Sequence, residues 1–186
     1  MPGQIYNRIA GLAADNYGYV TTDEAEAADI NPHRLLELAH RGQLERRGTG
    51  LYRVPLIPPT ELDPYREATL WPRGAEAVIS HDTALDVYGL GDANPAKIHI
   101  TVPLAHRPRR QLPAQYRLHR EDLREEEVTL YEGIPIVTAT KAIRQARRLG
   151  PALLRQAIED GERRGLVSRA EAEKLRNEAW VAGVTR

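Results

Sequence analysis

The sequence predicts an α+β fold, and three observations carry that reading. Helical periodicity runs into a glycine-centred hairpin within the first 55 residues, a proline-dense segment follows, and alternating strand patterns then give way to helices. The expected organisation is a helix-and-hairpin domain over residues 1–56, a Pro-rich linker over 57–65, and a mixed domain over 66–186 with a small sheet and C-terminal helices.

In the first part, Ile5, Ile9, Leu12 and Ala13 recur at i, i+4, i+7 and i+8, one face of a helix ending near Asp15. Gly18-Tyr19-Val20-Thr21 reads as a short extended piece. Thr22 is the expected N-cap of a second helix, with Asp23 and Glu24 in its first turn, where they favour the helix dipole. That helix closes around Ala28, and Asp29 fills the turn. Asn31-Pro32 opens a third helix, cap residue before proline, and Gly42 stops it after Arg41. Leu44 to Val54 then gives two short strands around Gly48-Thr49-Gly50. Helix, helix–turn–helix and hairpin, in that order, make a winged helix-turn-helix.

The third helix divides into two faces. Leu35, Leu38 and Ala39 share the buried one, with Leu36 at its edge, while His33, Arg34, Glu37 and Arg41 point away with His40 beside them. In such a motif this helix enters the major groove with its N-terminal residues near base edges. The expected DNA contacts are Asn31, His33, Arg34, Glu37 and Arg41 on the helix, and Arg46, Arg47 and Thr49 on the wing. The Arg34 fork suits guanine, Asn31 or His33 a base or phosphate, and the wing arginines phosphate or the minor groove. The same module also serves as a protein-docking domain, and that alternative stands beside the first.

Pro55-Leu-Ile-Pro-Pro-Thr-Glu-Leu-Asp-Pro64 carries four prolines in ten positions. Proline donates no backbone hydrogen bond and pushes its predecessor out of the helical region, so the segment reads as an extended connector. Beyond it, Ser80 is the expected N-cap of a helix ending at Gly89. Lys97–Val102, Gln115–His119, Glu127–Tyr131 and Ile134–Val137 read as strands, with Pro135 placing the last at an edge or a strand start. Ala142, Ile143 and Ala146 form a helical stripe. Pro151 starts a helix bearing Leu153, Leu154, Ala157 and Ile158, and Ser168 with Glu171 makes a capping box ahead of Ala172, Leu175 and Ala179.

Charge is balanced overall, 26 Lys+Arg against 26 Asp+Glu, but not locally. Residues 1–30 sum to −4 and residues 31–53 to +3. From 97 to 120 there are six cations, Lys97, Arg107, Arg109, Arg110, Arg117 and Arg120, and no acid. Local field steers a polyanion, so these blocks point toward nucleic acid or an acidic partner. The chain contains no cysteine, which excludes disulfides and thiol chemistry, and no apolar run long enough to span a membrane. With no secretory signal at the N-terminus, a cytoplasmic, monomeric protein is expected.

Enzyme motifs fail in turn. There is no phosphate-binding P-loop, Gly89-Leu-Gly91 is a turn rather than a dinucleotide fingerprint, and no Gly-Ser precedes an Asp-x-Asp pair. His81-Asp82 follows Ser80 closely enough to be helix-start capping. His99 and His106 frame a strand without a ligand at metal-binding spacing, and Glu125-Glu126-Glu127 reads as a solvated loop end. The expectation is a non-enzyme with no metal and no cofactor.

The segment Thr21-Thr-Asp-Glu-Ala-Glu-Ala-Ala-Asp-Ile-Asn-Pro-His-Arg-Leu-Leu-Glu-Leu-Ala-His-Arg-Gly-Gln-Leu-Glu-Arg-Arg-Gly-Thr-Gly-Leu-Tyr-Arg53 resembles the AbiEi antitoxins, partners of nucleotidyltransferase-like AbiEii toxins. Ala77–Leu90, Lys97–Pro103, Gly133–Thr140 and Arg164–Ser168 are similar to later landmarks of that family. Asp29 stands where the family carries Gly, and Asp tolerates the left-handed geometry. Arg and Asp are common after the family's Ile-Pro-Ile strand, whereas this chain reads Thr138-Ala-Thr-Lys-Ala-Ile-Arg-Gln145. The resemblance implies an antitoxin that represses its own operon through double-stranded DNA and counters a toxin through its second domain. A stand-alone transcriptional regulator is the alternative.

Overall fold

The computed structural model describes residues 3–75, 77–107 and 111–178. The chain divides into two compact units, Met1–Glu76 and Ala77–Arg186. The fold is α+β in both.

The first unit contains α1 (Gln4–Ala14), β1 (Tyr19–Thr21), α2 (Thr22–Ala27), α3 (His33–His40), β2 (Glu45–Gly48), β3 (Leu51–Arg53) and α4 (Asp63–Leu70). Its sheet has the order β1-β3-β2, antiparallel throughout, and its helix–strand arrangement is that of a winged helix. The buried face of α1 is Tyr6, Ile9 and Ala13, whereas Ile5 and Leu12 are more than a third exposed. The helix is therefore rotated slightly from the expected stripe, because the Tyr6 ring takes the core position. These residues pack with Val20, Ala25, Ile30, Leu35 and Leu44 in one cluster. The cap of α2 is Thr21, one residue earlier than expected. Its hydroxyl accepts from the Glu24 N–H, and the Glu24 carboxylate accepts from the Thr21 N–H at 2.7 Å, a reciprocal capping box. Asp29 adopts φ +54, the left-handed turn its side chain tolerates.

The proline-rich stretch expected to be a linker lies inside this unit. Arg53 is buried, and its guanidinium donates to Asp63 Oδ2 at 3.1 and 3.2 Å and to the Ile57 carbonyl at 2.8 Å. Asp63 Oδ1 accepts from Thr60 N and Oγ1. From α4, Glu67 accepts the Tyr19 hydroxyl and Arg66 Nε donates to Asn16 Oδ1. The prolines shape a strap that returns α4 to the sheet, so the division between units falls after residue 76 rather than at 57–65.

The second unit contains β4 (Val78–Ile79), α5 (His81–Tyr88), β5 (Ile98–Val102), β6 (Tyr116–Arg120), β7 (Val128–Tyr131), β8 (Ile134–Val137), α6 (Ala139–Gln145), α7 (Pro151–Arg163) and α8 (Arg169–Asn177). The sheet order is β6-β5-β4-β8-β7, with β5·β6 and β4·β8 parallel and the other pairs antiparallel. Sequence periodicity anticipates every strand except the two-residue β4. β8 is an interior strand with Pro135 at its start, the second of the two expected placements. Its Pro135 is accommodated because β4 is registered against β8 only at Ile136. Ile79, Leu85, Ile100, Ile136, Ile143, Leu154, Ile158 and Leu175 fill the core. The Ser168–Glu171 capping box forms as expected; Ala179 lies outside the described residues. Glu127, expected in a solvated loop end, is instead half-enclosed between Arg124 and Lys141.

Candidate nucleic-acid interface

The residues expected to contact DNA share one property: Asn31, His33, Arg34, Glu37, Arg41, Arg46, Arg47 and Thr49 are all exposed. Local folding explains why. Leu35 anchors α3 at 0% exposure, and the opposite face of the helix is left to solvent. Asn31 Oδ1 accepts from the His33 N–H at 2.9 Å, so Asn31 caps the helix start as well as standing beside it. Arg34 pairs with Glu37 at 2.6 Å one turn on, and that hydrogen bond holds the Glu37 carboxyl below its ordinary pKa. Arg34 is therefore oriented along the helix, while Arg41 stands at the far end.

The wing is bulged. Arg46 opposes Tyr52 and Gly48 opposes Leu51, which leaves Arg47 as the extra residue and projects neighbouring arginines from one strand. Arg46 Nε donates to the Gly48 carbonyl at 3.4 Å, whereas Arg47 Nε pairs with Glu67 at 3.0 Å. The wing tip is fastened: the Gly50 carbonyl accepts from the Thr22 N–H at 2.9 Å. Gly50 has φ +73, and a Cβ there would lie 2.7 Å from Thr22 Oγ1, so glycine is required. Arg53, counted in the same basic block by sequence, is buried against Asp63 and unavailable to a ligand.

Among the described residues, the cations of the second basic block are spread over several elements. Lys97 precedes β5, Arg107 follows its end and binds the Leu104 carbonyl, and Arg117 and Arg120 lie three residues apart on β6. That odd spacing turns their side chains to opposite faces of the strand. Arg109 and Arg110 lie outside the described residues.

Sequence reasoning set metal binding aside and assigned His81 to helix capping. The structure places His81 at the first position of α5, as a helix-start role requires, and also brings it against His99 on β5 and His119 on β6. Burial first lowers the pKa of all three, to about 3 for His81 and about 4 for His119; nearby cationic groups add to it, while Asp82 opposes it at His99 and Glu121 at His119. His106 is not part of the group. Residues 18 and 20 apart carry no local signal; the β4·β5 pairing brings the start of α5 to His99, and the β5·β6 pairing brings His99 to His119.

Residues 7–55 match a family described as "Transcriptional regulator, AbiEi antitoxin". That segment runs from within α1 to the end of the wing. No curated protein matches the chain. Among solved structures, the RV2827C protein from Mycobacterium tuberculosis is similar at 18% identity and a TM-score of 0.49, over 96% of this chain and 73% of that one. No helix among the described residues is long and apolar enough to cross a membrane.

Proposed function

We propose that the chain is an antitoxin that represses its own operon through the winged helix and counters a cognate nucleotidyltransferase-like toxin through the second unit. The observation that carries the DNA half is the conjunction of the AbiEi-type match with a recognition helix whose polar face is wholly exposed beside an arginine-bearing wing. α3 supplies base-edge groups, Arg34 first, and the bulged wing supplies Arg46 and Arg47 for phosphate. Toxin neutralisation is supported by the family description alone. Among the described residues, no catalytic constellation supports an enzyme reading.

Binding of the full chain to its own upstream region, followed by fluorescence anisotropy at several salt concentrations, tests the DNA half. Affinity is expected to fall steeply with salt. Arg46→Ala should weaken all sequences alike and flatten the salt slope by about 1, whereas Arg34→Ala should cost about 1–3 kcal/mol at one operator position. Co-expression with a nucleotidyltransferase-like neighbour tests the antitoxin half through growth rescue. One observation favours a second reading, a protein-docking winged helix: Arg34 and Arg47 are already paired with Glu37 and Glu67. Absence of promoter binding at low salt would select it.

A further inference from the structure

Three histidines converge in the second unit on the sheet face and helix end where α5 meets β5 and β6. One ring nitrogen from each of His81, His99 and His119 lies within 4.8 Å of those from the other two. The register explains the meeting. His99 opposes Arg117 and Thr101 opposes His119, so His99 and His119 stand diagonally on one face of the parallel pair. The rings of His81 and His119 stack with centroids 3.6 Å apart, and that of His99 lies 5.1 Å from His119 and 5.8 Å from His81.

An aromatic cluster alone would account for the stacking, but not for three further features. Nδ1 of His99 and Nε2 of His119 are buried and have no hydrogen-bond partner among the described residues, and His99 is only 8% exposed. Buried polar atoms are ordinarily satisfied, so two unpartnered ring nitrogens within one histidine cluster call for a ligand. His81 sits at φ +54, a conformation non-glycine residues rarely hold, and it begins a helix there. It is kept in place by neighbours. Its N–H donates to Gln145 Oε1 at 3.2 Å, and Gln145 Nε2 donates to Glu121 at 2.8 Å. Finally, Ser80 Oγ lies 3.0 Å from His81 Nδ1 and accepts from Thr101 Oγ1 at 2.8 Å. With His81 Nδ1–H donating to the Ser80 hydroxyl, Nε2 would be left to coordinate, the arrangement of metal-ligating histidines generally.

We propose that His81, His99 and His119 form a binding site for a borderline divalent transition-metal cation, zinc by preference, that ties the start of α5 to β5 and to the edge strand β6. The surrounding charge defines which cation fits. Arg117, Arg148 and Lys141 oppose a cation there, while Asp82 faces His99 and Glu121 faces His119. A hard cation held by carboxylates and Coulomb attraction is disfavoured, whereas imidazole nitrogens bind zinc through coordination bonds. With Zn–N distances of about 2.0–2.1 Å, tetrahedral donors stand about 3.4 Å apart, so the widest nitrogen pair closes by about 1.4 Å. Side-chain rotation that unstacks His81 from His119 supplies it. Glu121 is engaged by Lys141 and Gln145, which leaves the fourth position to water.

The test uses the full-length, tag-free chain stripped with chelator. Titration with ZnCl2 by calorimetry should show one equivalent bound, Co(II) should give the intense visible bands of four-coordinate cobalt, and zinc should raise the thermal unfolding midpoint. His81→Asn and His119→Gln should each weaken zinc binding by about 100-fold or more and abolish the cobalt bands, and Ser80→Ala should weaken it by about 10–100-fold. A His33→Gln/His40→Gln double variant, altered only on exposed α3, should bind as the parent does. Asn tolerates the left-handed backbone at position 81, so His81→Asn decides the matter even if His119→Gln fails to fold. Absence of zinc uptake by the parent, affinity retained in His81→Asn, or affinity lost in the α3 double variant would overturn the site.

Discussion

Replacing Arg53 with Met should nearly unfold the first unit while leaving the second intact. The side chains of Arg53 and Asp63 are 9% and 10% exposed, and three guanidinium hydrogen bonds end on Asp63 Oδ2 and the Ile57 carbonyl. Met fills similar volume but leaves the carboxylate buried with only its Thr60 partners. Breaking one side of a buried pair costs about 3–5 kcal/mol, chiefly through the uncompensated charge. A unit of this size is stable by about 4–11 kcal/mol, so the loss is a large fraction of the total. Urea unfolding followed by the fluorescence of Trp71, in a Trp180→Phe background that leaves it the sole indole, reads it directly. Arg53→Met/Asp63→Leu should recover most of the loss, since removing both charges removes the stranded one. A single-variant cost below about 1 kcal/mol, or strictly additive effects in the double variant, would refute the argument. The same pair predicts that residues 1–76 fold alone while residues 1–56, which lack Asp63, do not.

Gly91→Ala should destabilise the second unit by about 2–4 kcal/mol in chemical denaturation, because φ is +66 there and a Cβ would lie 2.8 Å from the Leu153 carbonyl oxygen. Glu37→Gln should strengthen non-specific DNA binding in anisotropy titrations by releasing Arg34 from its carboxylate. The Arg124 side chain first, then its backbone N–H and Lys141, draw the Glu127 carboxyl down to about 2 from an ordinary 4.5. A depressed folded-state pKa stabilises above the unfolded value and is lost as pH falls from about 4.5 toward 2. The urea midpoints of the parent and Glu127→Gln should therefore differ near neutrality and converge at the acid end of that window.

Where a local rule was sufficient, the sequence was readable. Periodicity and turn residues located α1 to α3, the hairpin and all but one strand of the larger sheet. Thr21 was within reach, since the spacing from Thr21 to Glu24 is that of a capping box and the spacing from Thr22 ends on Ala25. The offset face of α1 was not, because Tyr6-Ile9-Ala13 and Ile5-Ile9-Leu12 are both helical stripes and only packing selects between them. Four prolines concealed α4, whose Pro64 occupies the first turn, where proline is tolerated. In the interface, exposure could be read from the helix face, but the pairing of Arg47 with Glu67 and the loss of Arg53 to Asp63 depended on how α4 returns. The histidine trio was invisible for a related reason: strand pairing, not sequence spacing, sets which of its members meet.

The fastening of the wing tip to Thr22 bears on how a duplex is read. Thr22 begins α2, and α2 leads through the Asp29 turn into α3, so wing and recognition helix are joined by short, ordered backbone. Two probes held at a fixed separation act as a gauge. They engage together only where the distance from major groove to neighbouring backbone suits that separation, and that distance varies with base sequence through groove width and stiffness. Base pairs lying between the two probes, and touched by neither, would then influence affinity through the geometry they impose on their neighbours.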